Sequence, residues 1–347
     1  TRAARRPSGR FATDRGERMR VGIIGSGTMG SRFAEAAGRP EFLPGVELAG
    51  VCDQQPEKAE ALGARFGVPH FGSVDDLLER VEPEAVYVAT PDAAHRDPVV
   101  AAARRGVHVV VEKPLATRVE DALVMLREVE AADVVAEVHF GNRWSAPFVA
   151  AKRAIDEGEI GDVLSFMCRL NNAIAEPARL LAWAGQTTSA WFLLSHVLDL
   201  ARWLSGKQAE VTWANGSRRK LSALGIGAPD YVHAMVRYTD GTDGLFEASW
   251  VLPESMPTLV DFKFEVIGSE GALFIDTQDQ MVHLASRQGT YRYLSTLDYS
   301  RDSLRALMDR VAAGDRSRST FTDGLENTRT LVAIHTSLET GVLQEVR

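Results

Sequence analysis

The stretch from Val21 to Asp53 constrains this chain more than any other. It reads V-G-I-I-G-S-G-T-M-G, an apolar strand running into a glycine-rich turn and then a helix over 31–37, with Asp53 closing a second strand, L-A-G-V-C-D. A G-x-G-x-x-G alone is weak, since glycine-rich turns occur in other α/β domains. With a strand before it, a helix after it and an acid about 20 residues on, it reads as a dinucleotide-binding βαβ unit. Gly25 makes the tight turn, Gly27 lets backbone approach a pyrophosphate, and Gly30 lets the helix pack closely on the strand. The helix N-terminus then offers N–H groups and the positive end of its dipole to phosphates. Asp53, 23 residues beyond Gly30, is placed to accept hydrogen bonds from a ribose diol. Its charge would repel a 2′-phosphate, and Gln54 and Gln55 supply no cation, so NAD is expected over NADP.

Beyond Asp53 the chain keeps the same alternation. Pro56 opens a helix over 56–66, V-P-H-F is a short strand, and Ser73 caps a helix over 74–80. A-V-Y-V-A-T reads as a buried parallel strand, His95 opens a helix over 97–105, and V-H-V-V-V-E is the next strand. A helix over 119–131 and the strand V-V-A-E-V-H-F complete a doubly wound Rossmann domain over 19–140. Ligands in such sheets bind beyond the carboxyl ends of the strands, which points to Ala89-Thr90-Pro91 and Glu112-Lys113-Pro114. After a helix over 146–157 the pattern changes. V-L-S-F-M-C-R-L, Y-V-H-A-M-V-R-Y, G-L-F-E-A-S-W and T-L-V-D-F-K-F-E-V-I-G alternate apolar with polar residues, the mark of a mostly antiparallel sheet with one buried face. One helix, around S-H-V-L-D-L-A-R-W-L-S-G, interrupts this α+β domain over 141–322, and a last helical segment over 323–347 is expected to return to the first domain.

Two domains suit 347 residues, and a formal charge of −8 argues against nucleic acid as a partner. The longest uncharged stretch, over 180–198, is interrupted by polar residues and is not a membrane span. Cys52 and Cys168 sit in apolar runs as buried reduced thiols, which suggests the cytoplasm. The eight histidines are scattered without ligand spacing, so no metal is expected. Residues 1–18, with six arginines and no apolar run, are expected to be a disordered extension ahead of Met19.

Lys113 follows a buried strand and precedes a proline that fixes the turn. A lysine partly desolvated there can have its pKa lowered, which suits it to exchange a proton with a hydroxyl; a solvated surface lysine is the alternative. His196, amid Leu193, Leu194, Val197 and Leu198, is a second catalytic candidate or a core residue. His95 either caps its helix or braces the cofactor loop. Asp199 and Arg202, at helical spacing, are expected to be structural partners.

Taken together, G-S-G-T-M-G, C-D, A-T-P-D-A-A-H, V-E-K-P-L-A, an F-x-N-R-W-x-x-P-like segment, H-V-L-D and V-I-G-S-E-G resemble the glucose-fructose oxidoreductase, inositol dehydrogenase and rhizopine-catabolism (Gfo/Idh/MocA) family. The resemblance runs from Met19 to the C-terminus. It implies an open sheet of about eight or nine strands, with substrate on one face and often a subunit on the other, as a homodimer or homotetramer. It also implies that Lys113 is the catalytic lysine and His196 the histidine on the reacting hydroxyl. Gly25, Ser26, Gly27, Thr28, Met29, Gly30, Asp53, Gln54, Ala89, Thr90, Pro91, His95, Glu112 and Lys113 become candidate cofactor contacts.

One departure stands out. The family commonly carries D-x-G-x-H-x-x-D on the catalytic helix, and here the span is Phe192-Leu193-Leu194-Ser195-His196-Val197-Leu198-Asp199. The upstream aspartate is replaced by Phe192. Trp191 and Phe192 offer an aromatic face for a sugar ring, or are core; Arg143, Asn171 and Asn172 are candidate hydroxyl-binding groups, or turn and surface residues. The expected activity is NAD-dependent oxidation or reduction at a secondary hydroxyl of a sugar, cyclitol or glycoside. A redox-assisted glycosidase or epimerase that recycles its NAD, and a non-catalytic NAD-sensing regulator, are the competing readings.

Overall fold

A computed structural model of the chain describes residues 18–276, 281–286, 289–294, 300–316 and 319–347. Apart from Arg18, the extension expected over 1–18 lies outside the described residues.

The first domain alternates strand and helix: β1 (Met19–Ile24), α1 (Thr28–Ala37), β2 (Val46–Cys52), α2 (Pro56–Phe66), β3 (His70–Phe71), α3 (Val74–Val81), β4 (Ala85–Val88), α4 (Arg96–Ala103), β5 (His108–Glu112), α5 (Val119–Ala132) and β6 (Ala136–His139). The strands form one parallel sheet in the order β3-β2-β1-β4-β5-β6, with the strand order reversing between β1 and β4. Period-two alternation divides its apolar residues between two layers. Val21, Ile23, Tyr87 and Val110 pack under α1, whereas Val86, Val88, Val109 and Val111 pack under α3, α4 and α5. Ser73 caps α3 through its side chain, which accepts from the Asp76 N–H.

The second domain comprises α6 (Ala146–Asp156), β7 (Val163–Ala173), α7 (Ser195–Ser205), β8 (Ala209–Ser217), β9 (Tyr231–Tyr238), β10 (Asp243–Leu252), β11 (Val260–Gly268), β12 (Ala272–Asp276), β13 (Met281–Ser286), β14 (Gly289–Leu294), α8 (Ser300–Ala312), α9 (Phe321–Thr340) and β15 (Gln344–Glu345). Its nine strands run β14-β13-β12-β11-β7-β10-β9-β8-β15, antiparallel except where β7 and β10 pair in parallel. Phe166, Cys168, Leu170, Phe246, Ala248, Trp250, Phe262 and Phe264 point to one side and pack with Phe148, Leu194 and Val197 of the covering helices. The opposite face carries Met167, Met235 and Leu245, each about half exposed.

Two helices cross back. Leu304, Leu307, Met308 and Val311 of α8 sit in the first domain's core beside Phe33 and Tyr87. Phe321 and Leu325 at the start of α9 join the other layer of that domain, while Leu331 and Ile334 further along belong to the second. A single helix thus contributes to both cores and fixes where β5 and α7 meet.

Candidate active site

The glycines of the first turn answer to specific contacts. Gly25 has φ +101°, and a Cβ there would lie 2.4 Å from the Ala89 carbonyl oxygen at the end of β4. A Cβ on Gly30 would lie 1.9 Å from the Gly25 oxygen, so α1 can approach β1 only without one. Gly27 has open space around it, leaving bare backbone at the N-cap of α1, where no side chain caps the helix. That is a cradle for an anion. The Ser26 N–H donates to Asp53 Oδ2 and the Gln55 N–H to Asp53 Oδ1, each at 2.8 Å. A carboxylate has about four lone-pair sites, so acceptor capacity is left for a ribose diol. Gly27, Thr28, Gln54 and Pro91 are exposed along this rim, and Met29, Ala89 and Thr90 are half-buried behind it.

His95 stands at the N-cap of α4, but its side chain bonds elsewhere and braces the site. It is 1% exposed, with Nδ1 at 2.8 Å from the Pro114 oxygen and Nε2 at 3.1 Å from the Thr90 oxygen. Its ring therefore ties together the two strand-end loops. Glu112 is likewise inside. Its carboxylate accepts from the Tyr87 hydroxyl and lies 3.0 Å from His139 Nδ1, while His139 Nε2 meets Ser303 Oγ of α8 at 2.9 Å. Burial alone would raise its pKa, but His139, Lys113 and the Tyr87 hydrogen bond together hold it at about 2. Glu112 is an anchored anion that fixes the end of β5, with Lys113 next in the chain; the Lys113–Pro114 peptide is cis.

Lys113 crosses to the second domain. Its Nζ donates to the Phe192 carbonyl oxygen at 3.0 Å and stands 4.4 Å from the centre of the Phe192 ring. Phe192 lies in the π-helical turn Ala190–Leu194 that runs into α7, and it and His196 are both half-buried while the residues between them are buried. Asn142 Nδ2 donates to His196 Nδ1 at 3.2 Å, so this nitrogen is the acceptor and the proton sits on Nε2. Burial, with the nearby Lys113 charge, keeps the His196 pKa well below its ordinary value. At neutral pH the ring is therefore an uncharged Nε2–H donor.

Several expectations change. Arg143 lies in the short 3-10 turn Gly141–Trp144 but is not a surface residue: it is buried and bonds both oxygens of Asp199, at 2.9 and 2.5 Å, and Asp323 at 2.9 Å. With Nε and Nη2 bonded to these carboxylates and its plane near the Phe140 and Trp203 rings, it is a strut between α7 and α9. Asp199 and Arg202 do not pair with each other as their spacing suggested; Arg202 bonds Asp323 instead, at 3.2 Å. Asn171 follows Met167 and Arg169 onto the outer sheet face, where it donates to Glu247 at 2.7 Å, whereas Asn172 faces the helices. The aromatic pair divides too. Trp191 is core, stacked on His335 with centroids 4.5 Å apart, while Phe192 lies under the Lys113 ammonium with Trp183 and Trp250 against it.

Asn142, Asp92 and Trp183 join the site unforeseen. Asn142 stood in the F-x-N-R-W segment, next to the arginine that drew attention by its charge. Asp92, 5% exposed, accepts from the Thr187 hydroxyl at 2.8 Å across the domain boundary. Among the described residues no three His, Cys, Asp or Glu are grouped to hold a metal, and no helix is long and apolar enough to cross a membrane.

Residues 19–140 match the model for the Gfo/Idh/MocA oxidoreductase family, NAD-binding Rossmann fold, and residues 148–274 match the Gfo/Idh/MocA C-terminal domain. The chain is 30% identical over 277 residues to a scyllo-inositol 2-dehydrogenase (NAD(+)) of Bacillus subtilis, covering 78% of each protein. It is 30% identical over 317 residues to a levoglucosan dehydrogenase of Pseudarthrobacter phenanthrenivorans, covering 81% of this chain and 80% of the relative. A solved levoglucosan dehydrogenase in complex with NADH and levoglucosan superimposes with a TM-score of 0.83 at 26% identity, covering 95% of this chain and all of that one.

Proposed function

Because the chain belongs to the Gfo/Idh/MocA oxidoreductase family, we propose that it is an NAD-dependent dehydrogenase acting on a secondary hydroxyl of a cyclitol, sugar or glycoside. The observation that supports this reading is the seating of Lys113 Nζ, from the nucleotide domain, on the Phe192 carbonyl oxygen of the substrate domain, four residues before the neutral His196.

The cradle around Gly27 and the partly free carboxylate of Asp53 fit NAD. They would hold its pyrophosphate and adenosine ribose, while Ala89, Thr90 and Pro91 line the path to the domain junction. When bound, the nicotinamide supplies hydride exchange with the reacting carbon. The chain supplies the rest. Lys113, in its amine form, takes the hydroxyl proton as the alcohol becomes a ketone, and returns it in the reverse direction. His196 donates its Nε2–H to the same oxygen and sets its direction; uncharged at neutral pH, it aligns the oxygen and does not carry the proton. Asn142 keeps that nitrogen protonated. Phe192 and Trp183 give the pocket an apolar wall for a ring's C–H face.

Two copies are proposed to pair through the outer sheet face, where Leu164, Met167, Met235 and Leu245 are 46–56% exposed on neighbouring strands. Monomers rarely leave such a patch to water. Met167→Asp with Leu245→Asp is expected to shift the sedimenting species to the monomer. The buried free thiols of Cys52 and Cys168 suit a reducing cytoplasm.

A panel of inositols, levoglucosan and aldoses with NAD+ or NADP+ tests the function. NADH formation from at least one polyol, with NADP+ at least about tenfold poorer, is the expected result. NADP preference would contradict the role given to Asp53, and no reduction with any polyol would leave a nucleotide receptor.

A further inference from the structure

Lys113 is not alone in reaching the short run 183–192 from the first domain. Asp92 Oδ2 accepts from the Thr187 hydroxyl at 2.8 Å, and the two residues are only 5% and 6% exposed. Water therefore competes little for this bond, and its loss would leave a buried carboxyl short of a donor. Each partner ends a braced segment. On the first-domain side Asp92 follows Pro91, at the rim of the cofactor cradle. The Thr90 hydroxyl donates to the Ala94 oxygen at 3.1 Å, the Ala94 N–H donates to the Pro91 oxygen at 2.7 Å, and His95 Nε2 lies 3.1 Å from the Thr90 oxygen. Residues 90–95 are thereby held as one piece, so a contact at Pro91 is carried to Asp92.

On the second-domain side Thr187 adjoins Thr188. The Thr188 hydroxyl accepts from the Trp191 N–H at 3.2 Å and meets His335 Nε2 at 2.7 Å, and its carbonyl oxygen accepts from the Phe192 N–H at 3.0 Å. Trp183, earlier in the same run, packs edge-on against the Phe192 ring with centroids 6.2 Å apart. The aromatic wall beneath Lys113 is thus tied to Thr187, and Thr187 to the cofactor loop. We propose that Asp92 and Thr187 are positioning residues whose bond couples the two ligands: NAD seated against Thr90 and Pro91 fixes the Trp183–Phe192 wall on which the polyol rests. The proposal rests on the dehydrogenase reading above for where the two ligands sit. Such coupling is reciprocal, so NADH and polyol tighten each other's binding by the same factor.

The test uses the full chain as wild type, Thr187→Val and Thr187→Ala, which lack the hydroxyl, and Thr187→Ser, which keeps it. Thr328→Val is the control for a merely structural loss, since the Thr328 hydroxyl of α9 donates to the Ala116 oxygen of the first domain at 3.2 Å, outside this run. The first readout needs no polyol: hydrogen exchange of the peptide amides over 183–192, with and without saturating NADH. NADH is expected to slow exchange there about tenfold in wild type, Thr187→Ser and Thr328→Val, and by less than about twofold in the hydroxyl-free variants. The second readout is NADH affinity by fluorescence with and without an accepted polyol, which is expected to tighten and to lose its tightening in the same variants. Wild-type amides that NADH leaves unprotected, full protection in Thr187→Val or Thr187→Ala, or an equal loss in Thr328→Val overturns the proposal. A wild type that reduces no NAD+ refutes the dehydrogenase reading alone, and the exchange comparison still decides the coupling.

Discussion

Lys113 Nζ and Phe192 touch twice, through the carbonyl oxygen at 3.0 Å and through the ring at 4.4 Å. The ammonium of one domain is thereby seated on the helix of the other. A cation over a ring contributes about 0.5–2 kcal/mol, depending on its desolvation. Phe192→Leu keeps the carbonyl contact and removes the ring, so kcat/KM should fall about fivefold with NADH affinity unchanged, as read by steady-state kinetics and NADH fluorescence.

Asn142 controls which His196 nitrogen bears the proton. With Asn142→Ala the ring is free to present an acceptor to the substrate oxygen, and loss of a correctly protonated group costs about 10²-fold or more. Turnover should drop on that scale without a change in melting temperature beyond a few degrees. An unchanged turnover would place the substrate oxygen elsewhere.

Gly30 tests the cofactor cradle. Gly30→Ala places a methyl 1.9 Å from a backbone oxygen that cannot move aside, forcing α1 from β1. Overpacking of this kind costs about 1–3 kcal/mol. Lower stability in urea together with weakened NADH binding is expected, whereas Gly27→Ala, in open space, should leave stability unchanged.

His335 makes stability pH-dependent. Burial lowers its pKa to about 4, with Nδ1 donating to the Leu331 oxygen and Nε2 accepting from the Thr188 hydroxyl. A histidine neutral in the fold and protonated in the unfolded chain contributes stability in full above about pH 6.5. That contribution is lost as pH falls through the window down to about 4, a change on the order of 3 kcal/mol. Urea unfolding of His335→Gln should show a flatter dependence than wild type between those limits.

Much of the fold was legible in sequence because local chemistry fixed it. The glycine turn, Asp53, the buried parallel strands and the position of Lys113 each follow from period, turn residues or chain order. Other elements hid behind their own signals. β8 contains Asn215-Gly216, which reads as a turn, but Gly216 lies within the strand because a Cβ would meet the Tyr231 oxygen at 2.5 Å. α8 carries Leu304, Leu307, Met308 and Val311 at helical spacing, masked by surrounding charge. At the site, residue type misled. Arg143 and Trp191 have the chemistry to hold a sugar, but partners from α7 and α9, distant in sequence, occupy them. One step of register put Asn171 on the outer face, bonded to Glu247, and Asn172 on the helix-covered one.

If a hydride leaves a secondary carbinol beside Lys113, its isotope must appear in the cofactor. A polyol deuterated at the oxidised carbon, incubated with NAD+ and the wild-type chain, followed by mass analysis of the NADH, reads this directly. NADH one mass unit heavier is expected, with a rate slowed by the label and no product from Lys113→Met despite intact NADH binding. Unlabelled NADH, or full turnover by Lys113→Met, would contradict the proposed chemistry.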